Sequence, residues 1–434
     1  MRVLSYGQKY RTIEAKRAIV VIMDGVGDRP IKELGWKTPL QVAKKLNLDY
    51  VADIGMTGLY DPIAPGIRPG TDTGHLAIFG YDPWRYYPGR GPLEAIGAGL
   101  DVKPGDVALR ANLATVREEG DKLIVVDRRA GRIRGNDAEE LVKLLAENIK
   151  EIDGVKVFIA HGTEHRVAIV LRGDDLSSQI SDTDPGTAKE GNPVRECRPL
   201  IDSIEARKTA EIVNKLVKLS YELLKDHPVN KRRIEKGLLP ANIVITRGAG
   251  AVPKDLKLFK EYHGVSAYLV CEEDTVLGIG KLLGIEGEIP PGATGNLDTD
   301  IESILKASLR AIDKGYDIVF IHIKGPDIAG HDANWRGKIE IIEKIDWLVG
   351  EILNAIDLSD TIIALTADHS TPCYSRGHTG DPVPIAIAGI GARRDTVRFY
   401  DEISCAQGAL GRIRNVDFLN TILDLMGRRK MWGA

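Results

Sequence analysis

The sequence predicts an α/β fold, a mostly parallel sheet with helices on both faces, and a smaller inserted α+β unit. Two observations carry this. Strands and helices alternate inward from both ends of the 434-residue chain, which is the pattern of a parallel sheet with crossover helices. From about Ala111 to about Ile204 the alternation breaks. The expected division is therefore 1–110 with 205–434 as the main domain and 111–204 as the insertion. A chain of this length is too long for one small core.

The elements follow in order. Ala18-Ile19-Val20-Val21-Ile22-Met23 is a continuous apolar run, the mark of a strand buried on both faces, and it runs into Asp24-Gly25. Pro39 to Leu46 reads as a short helix with Thr38 as cap and Pro39 at the first helical position. Pro69-Gly70-Thr71-Asp72-Thr73-Gly74-His75 brackets hydroxyls with glycine ahead of a helical apolar pattern. A helix start there suits a capping hydroxyl, and equally a nucleophile, because its free N–H groups favour an incoming phosphoryl oxygen. Tyr86 to Leu100 is glycine-rich and reads as loop and turn.

In the insertion, Leu123 to Val126, Val155 to Ile159 and Val167 to Leu171 are strands, and Asp137 to Ile149 is an amphipathic helix capped by Asp137. Arg128, Arg129, Arg132 and Arg134 form a basic cluster, and His161, Arg166 and Arg172 lie around the last two strands. Converging guanidinium groups suit a carboxylate or phosphate; a solvated arginine face is the alternative. A polar loop runs from Ser181 to about Leu200.

Beyond it, Ile204 to Leu224 is a helix with Ile212, Val213, Leu216, Val217 and Leu224 at helical spacing. Asn242 to Thr246 is a strand ending at Arg247, and Ser266 to Cys271 is another. Gly278 to Gly284 has a glycine spacing one residue off a dinucleotide loop and reads as turn and packing. Ile318 to Ile323 is a central-type strand leading to Lys324-Gly325-Pro326-Asp327 and His331. Asp327 and His331 are four apart, so one helical turn puts both on one face. The remaining elements are the helix Gly337 to Ile356, the strands Ile362 to Leu365 and Ile385 to Ala388, and the helix Val416 to Met426. Between those two strands lie Asp368, His369 and His378.

Composition narrows the function. Apolar residues make up 43%, charged residues 28%, and the net charge is −3, so no basic excess points to nucleic acid. No apolar run approaches the ~20 residues of a membrane span, and Met1 to Arg17 contains no apolar leader core. The four cysteines form no C-x-x-C pair, which disfavours a disulfide framework and fits a cytoplasmic location.

Three central-type strands end in Asp24, Asp327 and Asp368, and His331, His369 and His378 follow two of them. Hard oxygen with imidazole nitrogen is a divalent-metal donor set. Six such donors suffice for two adjacent ions, which ~3.5–4 Å apart clamp the attacking and leaving oxygens of a phosphoryl group. Thr71 is the hydroxyl placed to act as nucleophile, since metal coordination lowers a hydroxyl pKa. The residues alone therefore point to a binuclear-metal phosphoryl-transfer enzyme.

Met-Asp-Gly at Asp24, Thr-Asp-Thr-Gly-His at Thr71, Pro-Asp-x-x-x-His at Asp327, Thr-Ala-Asp-His at Asp368 and His-Thr at His378 follow the order seen in the alkaline phosphatase superfamily. The runs Gly74 to Pro83 and Gly89 to Gly99 resemble the archaeal-type cofactor-independent phosphoglycerate mutases in particular. The resemblance implies an alkaline-phosphatase-like fold. It also implies interconversion of 2- and 3-phosphoglycerate in glycolysis and gluconeogenesis, without 2,3-bisphosphoglycerate, through a phosphothreonine at a two-metal centre. One ion would be held by Asp24, Thr71, Asp368 and His369, the other by Asp327, His331 and His378. Manganese is the metal implied, with magnesium, cobalt or zinc as alternatives. Where those mutases carry serine, this chain has Thr71, whose methyl restricts χ1. A metal-dependent phosphatase, phosphodiesterase or phosphopentomutase of the same superfamily is the alternative. The substrate is a small molecule, with a homo-oligomer possible. Its anionic groups are expected on Arg166 and Arg172, then His161 and Arg247, with Lys324 beside the phosphoryl group. A hinged insertion is expected to cover the site and exclude water.

Overall fold

The computed structural model describes residues 14–186, 191–431 and 433. Most of the opening stretch and residues 187–190 of the polar loop lie outside them. The chain begins with β1 (Arg17–Met23) and β2 (Met56–Asp61). It continues through β3 (Val107–Glu119), β4 (Lys122–Asp127), β5 (Glu151–Ile152), β6 (Val155–His161), β7 (Arg166–Arg172) and β8 (Ile243–Ala251). It ends with β9 (Ala267–Val270), β10 (Glu286–Glu288), β11 (Ile318–Ile323), β12 (Thr361–Thr366), β13 (Val383–Gly389) and β14 (Gly411–Arg414).

The larger sheet has the order β10-β9-β11-β1-β12-β13-β2-β14. Pairing is parallel from β10 through to β12 and between β2 and β14; only β13 runs against its neighbours. Every residue of β11 and β12 is buried, as is all of β1 after Arg17. Strands buried on both faces need helices on both, which is why these segments read as unbroken apolar runs. Among the described residues no helix is long and apolar enough to cross a membrane.

The insertion is larger than the expected 111–204: Arg85–Leu256 forms the second compact unit. The reason is β3. It pairs antiparallel with β7 along Val107 to Asn112, and with β8, far along the chain, from Val107 to Ala114. Helix Ile204–Leu224 then packs into this unit: Ile212, Val213, Leu216, Val217 and Leu224 share a core with Leu109, Leu113, Leu141 and Ile169. The alanine-rich start of β3 lacks the β-branched run that would mark a strand. The unit's six strands follow β4-β3-β7-β6-β5, with β8 on β3.

Four smaller expectations change. The helix from Pro39 splits into Pro39–Val42 and Leu46–Ile54. Thr38 caps the first, accepting from Gln41 N at 3.2 Å. The second starts afresh because Asp346 Oδ1 takes the N–H groups of Asn47 and Leu48, both at 2.8 Å. Tyr86 to Leu100 is not only loop, since Arg90–Gly97 is helical, and Gly278 to Leu282 lies inside helix Asp274–Leu282. Asp137 is in the first turn rather than at the cap, which is Gly135.

One buried histidine of the main unit sets a pH limit. His263 donates from Nε2 to Phe79 O at 3.1 Å, with the Phe259 ring 4.7 Å away. Burial, helped by Arg429, pushes its pKa down to about 4. The folded chain thus binds fewer protons than the unfolded one, whose histidine titrates near ~6.5. Its contribution is present above pH ~6.5 and is lost as pH falls through about 4. His263→Gln keeps a donor for Phe79 O without a titrating ring. Thermal or urea unfolding between pH 7 and 4 should show the variant losing less stability than the parent, by on the order of 2–3 kcal/mol. Equal acid losses in the two would contradict this.

Candidate active site

Sheet order makes the site. β11, β1 and β12 are parallel neighbours, in register Met23 to Ile323 and Ile22 to Thr366. Their carboxyl ends therefore open side by side, about one strand spacing apart (~4.8 Å), at the edge where parallel sheets bind ligands. Asp24 follows β1, Asp368-His369 follows β12, and helix Gly325–His331 follows β11, with Asp327 and His331 one turn apart on it. Helix Thr71–Ile78 supplies the hydroxyl.

Thr71 is the first helical residue and not the cap. Thr73 Oγ1 does the local work, accepting from Gly70 N at 2.9 Å and donating to Gly70 O at 3.1 Å. The Thr71 hydroxyl is left to face the acids, 3.3 Å from His369 Nε2 and 3.4 Å from Lys324 Nζ. Gly74 allows the approach, because a Cβ there would meet Asp368 Cβ at 2.8 Å.

Two groups of donors form. His369 Nε2 lies 3.1 Å from Asp368 Oδ2 and 3.4 Å from Asp24 Oδ1. Asp24, Asp368 and His369 are wholly buried. Asp24 Oδ1 and Asp368 Oδ2 are buried without a hydrogen-bond partner, and a buried unpaired carboxylate oxygen is costly unless a cation meets it. In the second group, His331 Nε2 and His378 Nε2 approach Asp327 Oδ1 at 3.4 and 3.5 Å. The His369 and His378 rings stack with centroids 3.5 Å apart, so the groups adjoin. Each of Asp24-Asp368-His369 and Asp327-His369-His378 brings its donor atoms within 4.8 Å of one another. This donor set fits divalent cations on both chemistry and spacing.

Lys324 is not a surface lysine. It is 8% exposed, with Nζ 2.8 Å from Asp327 Oδ2 and 3.1 Å from Asp24 Oδ2. Burial works against its charge, but Asp24, Glu273, Asp327 and Asp368 outweigh burial and hold it protonated far above the usual lysine range. Burial likewise opposes ionisation of Asp327, yet His378, Lys324 and His369 keep its carboxyl well below the usual range.

Sequence reasoning missed two buried histidines. His322 Nε2 meets Asp24 Oδ2 at 2.8 Å, so His322 and Lys324 occupy one oxygen of Asp24 and leave Oδ1 free. His75 donates from Nδ1 to Thr71 O at 2.8 Å, with Asp368 Oδ2 3.4 Å away. The signal for His322 was available: one polar side chain within a wholly buried strand needs a polar partner.

In the inserted unit, the four expected anion contacts differ. Arg172 is spent on structure, with Nε and Nη2 on Asp106 at 2.9 and 2.7 Å and Nη2 also on Asp101 O at 2.8 Å. His161 Nε2 bonds Glu164 O at 2.6 Å. Arg166 is exposed at the start of β7. Arg247 stands opposite Arg110 across β8 and β3, its Nε buried without a partner. Burial, then the Arg110 and Arg128 charges, lower its pKa. Arg110 is absent from the sequence-based expectation, and Arg128 entered it only as part of the basic cluster. Arg128 forms a buried ion pair with Asp184, and Arg110 approaches Glu94.

Comparison with known proteins places the chain in a family. Residues 52–230 match the family model described as 2,3-bisphosphoglycerate-independent phosphoglycerate mutase. The chain is 49% identical to the protein of that name from Ignicoccus hospitalis, over 96% of this chain and 99% of that one. It is 47% identical to 2,3-bisphosphoglycerate-independent phosphoglycerate mutase 1 of Archaeoglobus fulgidus, over 96% of this chain and 99% of the other. Among solved structures, cofactor-independent phosphoglycerate mutase from Thermoplasma acidophilum superposes with a TM-score of 0.78 at 34% identity, covering 95% of this chain and all of the other. With near full-length relatives at this identity, the chain belongs to the 2,3-bisphosphoglycerate-independent phosphoglycerate mutase family.

Proposed function

We propose that this chain interconverts 2- and 3-phosphoglycerate through a phosphothreonine at Thr71, beside two divalent cations, with manganese as the preferred metal. One cation would be held by Asp24, Thr71, Asp368 and His369, the other by Asp327, His331 and His378. Bound there, the pair would neutralise phosphoryl charge and lower the pKa of the attacking hydroxyl. The observation that carries the reading is the Thr71 hydroxyl facing His369 Nε2 at 3.3 Å, where the unpaired oxygens of Asp24 and Asp368 converge.

The residues then divide the work. Thr71 Oγ1 attacks phosphorus; the Oγ1–P bond forms, the P–O bond to glycerate breaks, and glycerate keeps the electron pair and takes a proton. Glycerate reorients, its other hydroxyl attacks the phosphothreonine, and Thr71 is released with its proton restored. Lys324, held charged, stabilises the phosphoryl oxygens and does not act as a base. His322 and His75 hold Asp24 and the Thr71 backbone for the attack. Within the inserted unit, Arg247 and Arg166 are the groups offered to a carboxylate or phosphate, with His161 behind them. Arg172 supports the fold of that unit.

Manganese-loaded protein given 3-phosphoglycerate should form 2-phosphoglycerate with no accumulation of inorganic phosphate. Phosphate without 2-phosphoglycerate would instead identify a phosphatase. Thr71→Ala should lower kcat about 10³-fold or more, and Thr71→Ser should retain turnover. Normal turnover in Thr71→Ala would remove the nucleophile assignment.

The two arginines should separate cleanly. Arg247→Met is expected to raise KM for phosphoglycerate by about ten- to a hundredfold, the worth of a hydrogen bond to a charged group, with little change in Tm. Arg172→Met, which unpairs Asp106, should lower Tm and leave KM within about threefold. The reverse pattern would reassign the contact.

A further inference from the structure

Lys338, on helix Trp335–Ala355, is completely buried although charged, and it touches none of the metal donors. Its ammonium donates to Asp28 Oδ2 at 2.9 Å, Thr371 O at 3.0 Å and Gly27 O at 3.2 Å, which uses all three of its protons. Those acceptors lie on two different loops. Gly27 and Asp28 belong to the turn that leaves Asp24, and Thr371 belongs to the loop that leaves Asp368-His369. Asp28 strengthens the join by accepting from Cys373 N at 3.2 Å with each oxygen. Thr371 N in turn donates to Gly27 O at 3.1 Å.

The far side of Thr371 reaches the donors. Its Oγ1 donates to Asp327 Oδ1 at 2.6 Å and lies 3.0 Å from His369 Nδ1. The two loops and helix Gly325–His331 come close together here: a Cβ on Gly25 would meet Asp327 Cα at 2.8 Å, and one on Gly330 would collide with Thr371 O. One buried cation and its carboxylate thus hold the ends of β1 and β12 together, and Thr371 passes that constraint to Asp327 and His369.

We propose that the Lys338–Asp28 ion pair is a positioning clamp for the two-metal centre, acting through Thr371 to fix Asp327 and His369 relative to Asp24. The proposal rests on the two-metal reading of the site. Lys338 meets neither substrate nor cation. Its role is to fix distances between donors that come from different loops, as residues supporting metal ligands do.

The test is manganese titration into metal-stripped protein, read by the electron paramagnetic resonance of free manganese. The parent should take up about two ions. Lys338→Met should bind manganese at least about tenfold more weakly, with kcat restored at high manganese and KM little changed. Two further variants cover a folding failure. Asp28→Asn with Lys338→Met leaves no buried charge unpaired, and Thr371→Val keeps the ion pair but cuts the link to Asp327; both should weaken manganese binding similarly. Parent-like affinity in these variants, even with a lowered Tm, would reduce the pair to ordinary core support and overturn the clamp alone. A parent that takes up no manganese would overturn the two-metal reading and the clamp with it.

Discussion

Everything in the main unit is arranged around negative charge that has been taken out of water. Asp24 and Asp368 are wholly buried and Asp327 is 2% exposed. The effective cost of burying one unpaired ion is several kcal/mol. Among the described residues Lys324 is the ammonium that pairs with them, meeting Asp24 and Asp327. The histidines divide the remainder. His322 meets Asp24 Oδ2 and Gly25 N donates to Asp368 Oδ1, while His331, His369 and His378 stand on the open side. Two carboxylate oxygens stay unpaired on that side. Two buried carboxylates that are each paired on one oxygen and bare on the other are costly as a fold and suited to cations. Whatever binds only the folded chain there also stabilises it.

Much of this was legible in the sequence because it depends on strand order. A fully buried parallel strand must be apolar along its length, so an acid can appear only where the strand stops. Asp24, Asp327 and Asp368 mark those stops. Their convergence then needs only that β11, β1 and β12 be neighbours. The supporting side chains were less legible. His322 sits inside an apolar strand, and Lys338 lies in a long amphipathic helix, where a lysine ordinarily faces solvent. Their partners come from segments up to several hundred residues away, such as Asp28 for Lys338. Pairing at that range carries no local pattern. The insertion boundary failed for the same reason: β3 and β8 pair across more than a hundred residues.

Thr71 shows how a residue type with two readings is resolved. At a helix start a threonine hydroxyl is ordinarily consumed by backbone N–H groups. Here Gly70 is the flanking residue, and Thr73 makes the reciprocal bonds to it. The duty of the cap is moved two residues along, and the Thr71 hydroxyl has no backbone claim on it. The Thr-x-Thr pattern therefore separates the hydroxyl that bonds the backbone from the one that faces the acids. Neither threonine alone would tell a reader which was which.

The arginines of the inserted unit follow the same logic with the sign reversed. Arg128 and Arg172 each have a buried carboxylate, Asp184 and Asp106, and are settled by it. Arg247 has no such partner for its Nε, and the neighbouring Arg110 and Arg128 charges act against its own. Like charges held close together cost stability unless an anion joins them. A guanidinium whose carboxylate is already in place is a poor receiver for a second one, because the first bond must be given up. The arginine that the fold leaves in electrostatic debt is the one with something to gain from an anionic ligand. That criterion ranks Arg247 above Arg172, although on chain position alone Arg172 had the stronger claim.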